Sequence, residues 1–133
     1  MRNFQAVSCV LVFDAKILLL KRSDKVRTNK GMWSVVAGEV EGDPYITALK
    51  EIEEETGLAE PDIALIRRGD PFNLKMTIHS MTTLHPYLFS TISNTIRLNW
   101  EHDEFQWISI DSIDEIQLVP RFSDLLRSVH LIP

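Results

Sequence analysis

With 133 residues, 44% of them apolar, and no repeat or low-complexity stretch, the chain can build one core but not two, so 1–133 is expected to be a single domain. A formal net charge of −5 argues against non-specific nucleic-acid binding, which rests on cationic surfaces. The longest apolar run, Ile17 to Leu20, is too short to span a bilayer, the N-terminus carries no signal-peptide pattern, and a lone cysteine allows no internal disulfide; a cytoplasmic protein with no membrane partner is expected.

In chain order, the first elements are two apolar runs, Val7 to Phe13 and Ile17 to Arg22, joined by a turn at Asp14-Ala15-Lys16. They predict a hairpin of strands over 4–13 and 17–22, with Cys9 as a buried, inert thiol. Arg22, Lys25, Arg27 and Lys30 then flank the approach to a short strand over 33–36. Their charge suits a phosphate, and Arg22, at a strand end, is the best placed of the four. A Gly-containing loop follows, and then a helix over 44–56, for which Asp43 is a good N-cap, Pro44 suits the first helical position and Thr56-Gly57 is a stop.

That helix is the most informative segment, because Glu51, Glu53, Glu54 and Glu55 put four carboxylates into five residues. At roughly 100° per residue, Glu51, Glu54 and Glu55 project from one side, while Tyr45, Leu49, Ile52 and Thr56 form an apolar stripe that can bury against a sheet. Carboxylates at this density repel one another unless water or a cation neutralises them. A solvated surface helix is the plain alternative. A hard divalent cation is the functional one, because such ions take oxygen ligands.

Beyond the helix, strands are predicted near 62–68, 74–79, 83–91 and 105–109, separated by turn signals at Gly69-Asp70-Pro71 and Ser93-Asn94. A short helix is predicted over 111–116, and an amphipathic one, 119–127, closes the chain. Strands interspersed with a few helices imply an α/β architecture with a mixed sheet. No histidine pair has metal-ligand spacing with a carboxylate, so zinc is not expected. Trp33, Phe72 and Trp107 can stack on a nucleobase, but core packing is the expected role of the two tryptophans.

The stretch from Trp33 to Leu58 resembles the signature of Nudix (MutT-like) hydrolases, G-x5-E-x7-R-E-U-x-E-E-x-G-U with U aliphatic. Glu51, Ile52, Glu54, Glu55, Gly57 and Leu58 fall in register with its second half. The first half departs: Pro44 stands where Glu is expected, Lys50 replaces Arg, and Gly38 to Lys50 is two residues short. Lys lacks the planar fork with which Arg orients carboxylates. The opening hairpin and the late run Glu101-His102-Asp103-Glu104-Phe105-Gln106-Trp107 extend the resemblance along nearly the whole chain.

The resemblance implies a Nudix α/β/α sandwich and hydrolysis, with Mg²⁺ or Mn²⁺, of a diphosphate linkage in a nucleoside diphosphate derivative. It assigns Glu51, Glu54 and Glu55 as catalytic residues and metal ligands, with Glu51 first in line as general base, and the Ala37 carbonyl as a further ligand. A carboxylate from outside the box is also implied, Glu104 or failing it Glu101, and Arg22 is the phosphate-holding residue. A homodimer, through an exposed strand face or the 70–83 segment, is also consistent with the family. The rival class is a Nudix-fold nucleotide sensor without turnover, suggested by the shortened box and Lys50. An isomerase of the same fold would need a loop cysteine, and Cys9 comes much too early.

Overall fold

The computed structural model describes residues 2–133. Two long strands organise it, β1 (Arg2–Phe13) and β7 (Ser80–Thr91), which pair in parallel from Arg2↔Ser80 to Val12↔Ser90. The other strands add to them in antiparallel fashion. β2 (Lys16–Arg22) folds back on β1 through a two-residue turn in which Asp14 and Ala15 have φ of 51° and 59°. Those left-handed values give the turn a twist that matches the flanking strands.

β1 and β2 then diverge, and the gap is filled by β3 (Trp33–Ser34) on β2 and β4 (Val36–Glu39) on β1. The predicted strand over 33–36 is thus two strands broken at Val35, and the expected Gly-containing loop around Gly38 is strand backbone paired with Val7. β5 (Ile63–Arg68) and β6 (Phe72–Thr77) both pair with β7, and β8 (His102–Ile108) closes against β2. β8 begins three residues earlier than its apolar pattern suggests, because its first half is polar.

Helix α1 spans Pro44–Thr56, as its signals predict: the Asp43 carboxylate accepts from Ile46 N–H at 2.9 Å, and Gly57 caps the C-terminus at φ 80°. A second helix, α2 (Phe122–Ser128), follows a 3-10 turn over Ile110–Glu115. Alternation along the strands divides the core between the two helices. Val7, Cys9, Leu11, Leu18 and Leu20 pack with Ala48 and Ile52 of α1, whereas Val10, Ile17 and Leu19 pack with Phe122, Leu125 and Leu126 of α2. The result is the expected α/β/α sandwich around a mixed sheet. No helix among the described residues is long and apolar enough to cross a membrane.

Candidate active site

α1 lies over β1 and β4 with Ile52 fully buried, and this fixes the rotation of its acidic face. Glu55 is carried inward with Thr56, Glu51 sits half-buried one turn earlier, and Glu53 and Glu54 face solvent. The turn before β8 brings in Glu101. One carboxylate oxygen from each of Glu51, Glu55 and Glu101 lies within 4.8 Å of the others, a spacing at which a single cation can be shared.

The close approach of Glu51 to β4 depends on Gly38. A methyl group built there would lie 2.6 Å from Glu51 Cγ and 2.7 Å from its Oε1. The clash is with the end of a flexible side chain, so the fold can absorb it by swinging the carboxylate out of the group. Gly38→Ala is therefore expected to leave Tm within a few degrees of wild type while turnover falls about 10-fold, roughly 1.4 kcal/mol of barrier. An unaltered rate would show that Glu51 need not stand where the structure places it.

Glu55 is 1% exposed. Its Oε1 accepts from the Ala37 backbone N–H at 3.4 Å, and its Oε2 has no partner. Burial first, then the hydrogen bond with Glu51 and the charge of Glu101, push its pKa up to about 10. Burial also raises Glu51, with Glu54 and Glu101 adding to the shift. The unpartnered oxygen and the three crowded carboxylates fit a divalent cation, whose charge would replace the proton that Glu55 otherwise retains. Lys50, the residue in the box Arg position, donates to Glu41 at 3.0 Å and lies 3.9 Å from Glu54.

Of the residues singled out from the sequence, Glu51 and Glu55 come together, with Ala37 against them. Glu54 and Glu104 do not join the group. Glu54 is half-exposed beside Lys50, and Glu104 is bound by Lys21 Nζ at 3.2 Å. The reason for Glu104 is strand alternation: it shares the parity of Ile108, which packs on the α2 side, whereas Trp107 packs on the α1 side where the carboxylates are. Glu101 enters instead from the turn. Its backbone N–H donates to Asn99 Oδ1 at 3.0 Å and its carbonyl accepts from Ser23 N–H at 2.8 Å.

Arg22 donates through Nε to the Thr28 carbonyl at 2.9 Å and, with Ser34, Lys75, Arg121 and Ala37, whose N–H meets Glu55, lines a 380 Å³ cleft. Trp33 and Trp107 are half-buried in core packing, and Trp107 Nε1 donates to the Asn94 carbonyl at 3.2 Å. The aromatic residue exposed beside Glu101 is Trp100, which lies outside any apolar pattern in the sequence. His102 was likewise invisible to sequence reasoning: its ring is buried with Nδ1 3.8 Å from Glu55 Oε1. Burial, and then the charge of Arg22, lower its pKa to about 4, which keeps it neutral.

The NUDIX domain family matches residues 2–129. The fold is shared with the MutT protein of Methanosarcina mazei Go1 (TM-score 0.78, 23% identity, 95% of this chain and 91% of that one). It is similar to a MutT NUDIX hydrolase from Burkholderia pseudomallei (TM-score 0.75, 25% identity, 97% and 99%). It is also similar to the NUDIX domain of Shewanella oneidensis NrtR, solved with ADP ribose (TM-score 0.74, 17% identity, 96% and 86%). Among curated proteins, an octanoyltransferase of Myxococcus xanthus is 29% identical over 104 residues, 73% of this chain and 27% of that protein's length. The match over 2–129, on a sandwich common to these solved structures, makes the chain a member of the NUDIX domain family.

Proposed function

We propose that the chain, acting as one domain, is a divalent-metal-dependent hydrolase of a diphosphate linkage in a nucleoside diphosphate derivative. The observation that carries this reading is the convergence of Glu51, Glu55 and Glu101 around an unpartnered, buried carboxylate oxygen. These three residues would hold Mg²⁺ or Mn²⁺. A bound divalent cation supplies charge neutralisation at the anionic diphosphate and an acidified water.

The rest is the work of the chain's own residues. Glu51, half-buried beside Glu55, takes the proton from the attacking water. As the new P–O bond forms, the bridging P–O bond breaks and the leaving phosphate departs with the electron pair. Arg22, at the cleft wall, carries a fixed positive charge for a substrate phosphate. Nucleoside diphosphate derivatives are favoured as substrates because a solved NUDIX neighbour holds ADP ribose and another is described as a UDP-X diphosphatase.

The test is phosphate or nucleotide release across a panel of ADP-ribose, dinucleoside polyphosphates, sugar nucleotides and nucleoside triphosphates, with Mg²⁺ and with chelator. At least one class is expected to be cleaved only when Mg²⁺ is present. Nucleotide binding without release from any compound would make the chain a sensor module instead, and the hydrolase reading would be abandoned.

A further inference from the structure

Among the described residues, the buried side-chain polar atoms with no partner are three: Glu55 Oε2 and both ring nitrogens of His102. They belong to neighbouring side chains, each 1% exposed. Leaving three such atoms unpaired is costly, and an apolar residue could fill the space of an imidazole without that cost. The imidazole therefore calls for an account beyond packing.

The backbone shows how the ring gets there. β8 pairs with β2 in regular register from Ile17↔Ile108 to Lys21↔Glu104, and the next pair is Arg22↔His102. Asp103 is thus an extra residue, a bulge in β8. Without it, His102 would share the parity of Glu104 and Ile108 and face away from α1. With it, His102 changes side and meets Glu55, the sort of re-aiming that bulges perform next to functional sites. The same step leaves Glu101 in the turn where its carboxylate reaches Glu51 and Glu55.

We propose that His102 is the positioning residue for Glu55: its Nδ1–H is the donor that holds the Glu55 carboxylate in the orientation needed to bind the cation. This inference rests on the cation reading given above. At 3.8 Å the pair is just longer than a hydrogen bond, so a small rotation of either side chain makes the contact. A histidine nitrogen donating to a ligand carboxylate fixes the ligand's orientation from behind, without itself touching the ion.

The experiment is Mn²⁺ binding, followed by the loss of the free-ion EPR signal, in wild type and three variants, with Tm recorded for each. His102→Phe fills the space without a donor. His102→Asn places an amide nitrogen near the Nδ1 position, and His102→Gln places one near Nε2. The expected result is Mn²⁺ affinity at least 10-fold weaker in H102F and H102Q, restored to within about 3-fold of wild type in H102N, a rescue that a packing role would not produce.

Should a variant not fold, ¹⁵N-histidine spectra of wild type give the answer directly. A Nδ1–H tautomer whose proton becomes hydrogen-bonded on Mg²⁺ addition supports the assignment, and a Nε2–H tautomer indifferent to Mg²⁺ overturns it. Wild-type affinity in a folded H102F also overturns it while leaving the cation reading intact. Failure of wild type to bind Mn²⁺ overturns both.

Discussion

Glu55→Gln is expected to abolish metal-dependent turnover, by at least ~100-fold or roughly 2.7 kcal/mol of barrier, while making the metal-free protein more stable at alkaline pH. The two effects have one cause. Glu55 is buried beside Glu51 and Glu101, and its carboxyl group is held near pKa 10, against an ordinary 4.5. Between those values the folded protein keeps a proton that the unfolded chain releases, so stability falls as pH rises. His102 works in the opposite sense: its folded pKa of about 4 lies below the ordinary 6.5, so between these values stability rises with pH.

The two contributions oppose each other from about pH 4.5 to 6.5, and above that window the decline due to Glu55 is no longer offset by His102, up to about pH 10. Urea unfolding in the presence of chelator, from pH 5 to 9, is the measurement. Wild type is expected to lose stability above pH 6.5, and Gln to remove that slope, with a gap on the order of a few kcal/mol near pH 9. Mg²⁺ is expected to raise the Tm of wild type and leave that of the variant unmoved, because an ion stabilises only the state that binds it. Parallel pH slopes in the two proteins would show that Glu55 is not the buried acid described here.

The second large effect separates two carboxylates three residues apart. Glu101→Gln is expected to lower kcat by about 100-fold, again near 2.7 kcal/mol, whereas Glu104→Gln is expected to stay within a factor of about three. Glu101 is held by the Asn99 side chain, whose Nδ2 donates to its Oε1 at 3.3 Å, and by the Ser23 contact to its carbonyl, so its carboxylate meets Glu51 and Glu55 at a defined position. Glu104 is an exposed partner of Lys21, and pairs of that kind contribute about 0–1 kcal/mol. Steady-state kinetics at saturating Mg²⁺ decide the matter. A severe loss at Glu104 with a mild one at Glu101 would mean that β8 is registered differently from the pairing seen here.

Much of α1 was legible because its signals are local. An N-cap at Asp43, proline at the first position, a left-handed Gly57 and an apolar repeat each act within a few residues, and together they set the helix over Pro44–Thr56. The hairpin at Asp14-Ala15 was legible for the same reason. The split of the predicted 33–36 strand was not, because the change of partner at Val35 depends on how far β1 and β2 diverge, which no neighbouring residue encodes.

Within the site, Glu51 and Glu55 were readable from helical spacing and from the family signature, but their unequal burial was not. Spacing puts both near one side of a helix, while the fit of Ile52 into the sheet chooses the rotation and drives Glu55 inside. The approach of Glu101 and the turning of His102 follow from one bulged residue, Asp103, whereas Glu104 is excluded by the unbroken alternation it shares with Ile108. A strand's period of two tells which residues share a face only while the register is unbroken. Local composition by itself therefore determined the acidic helix, the strands and the family resemblance. Only the tertiary structure decided which carboxylates meet, because a bulge is set by the partner strand and shifts every residue beyond it to the opposite face.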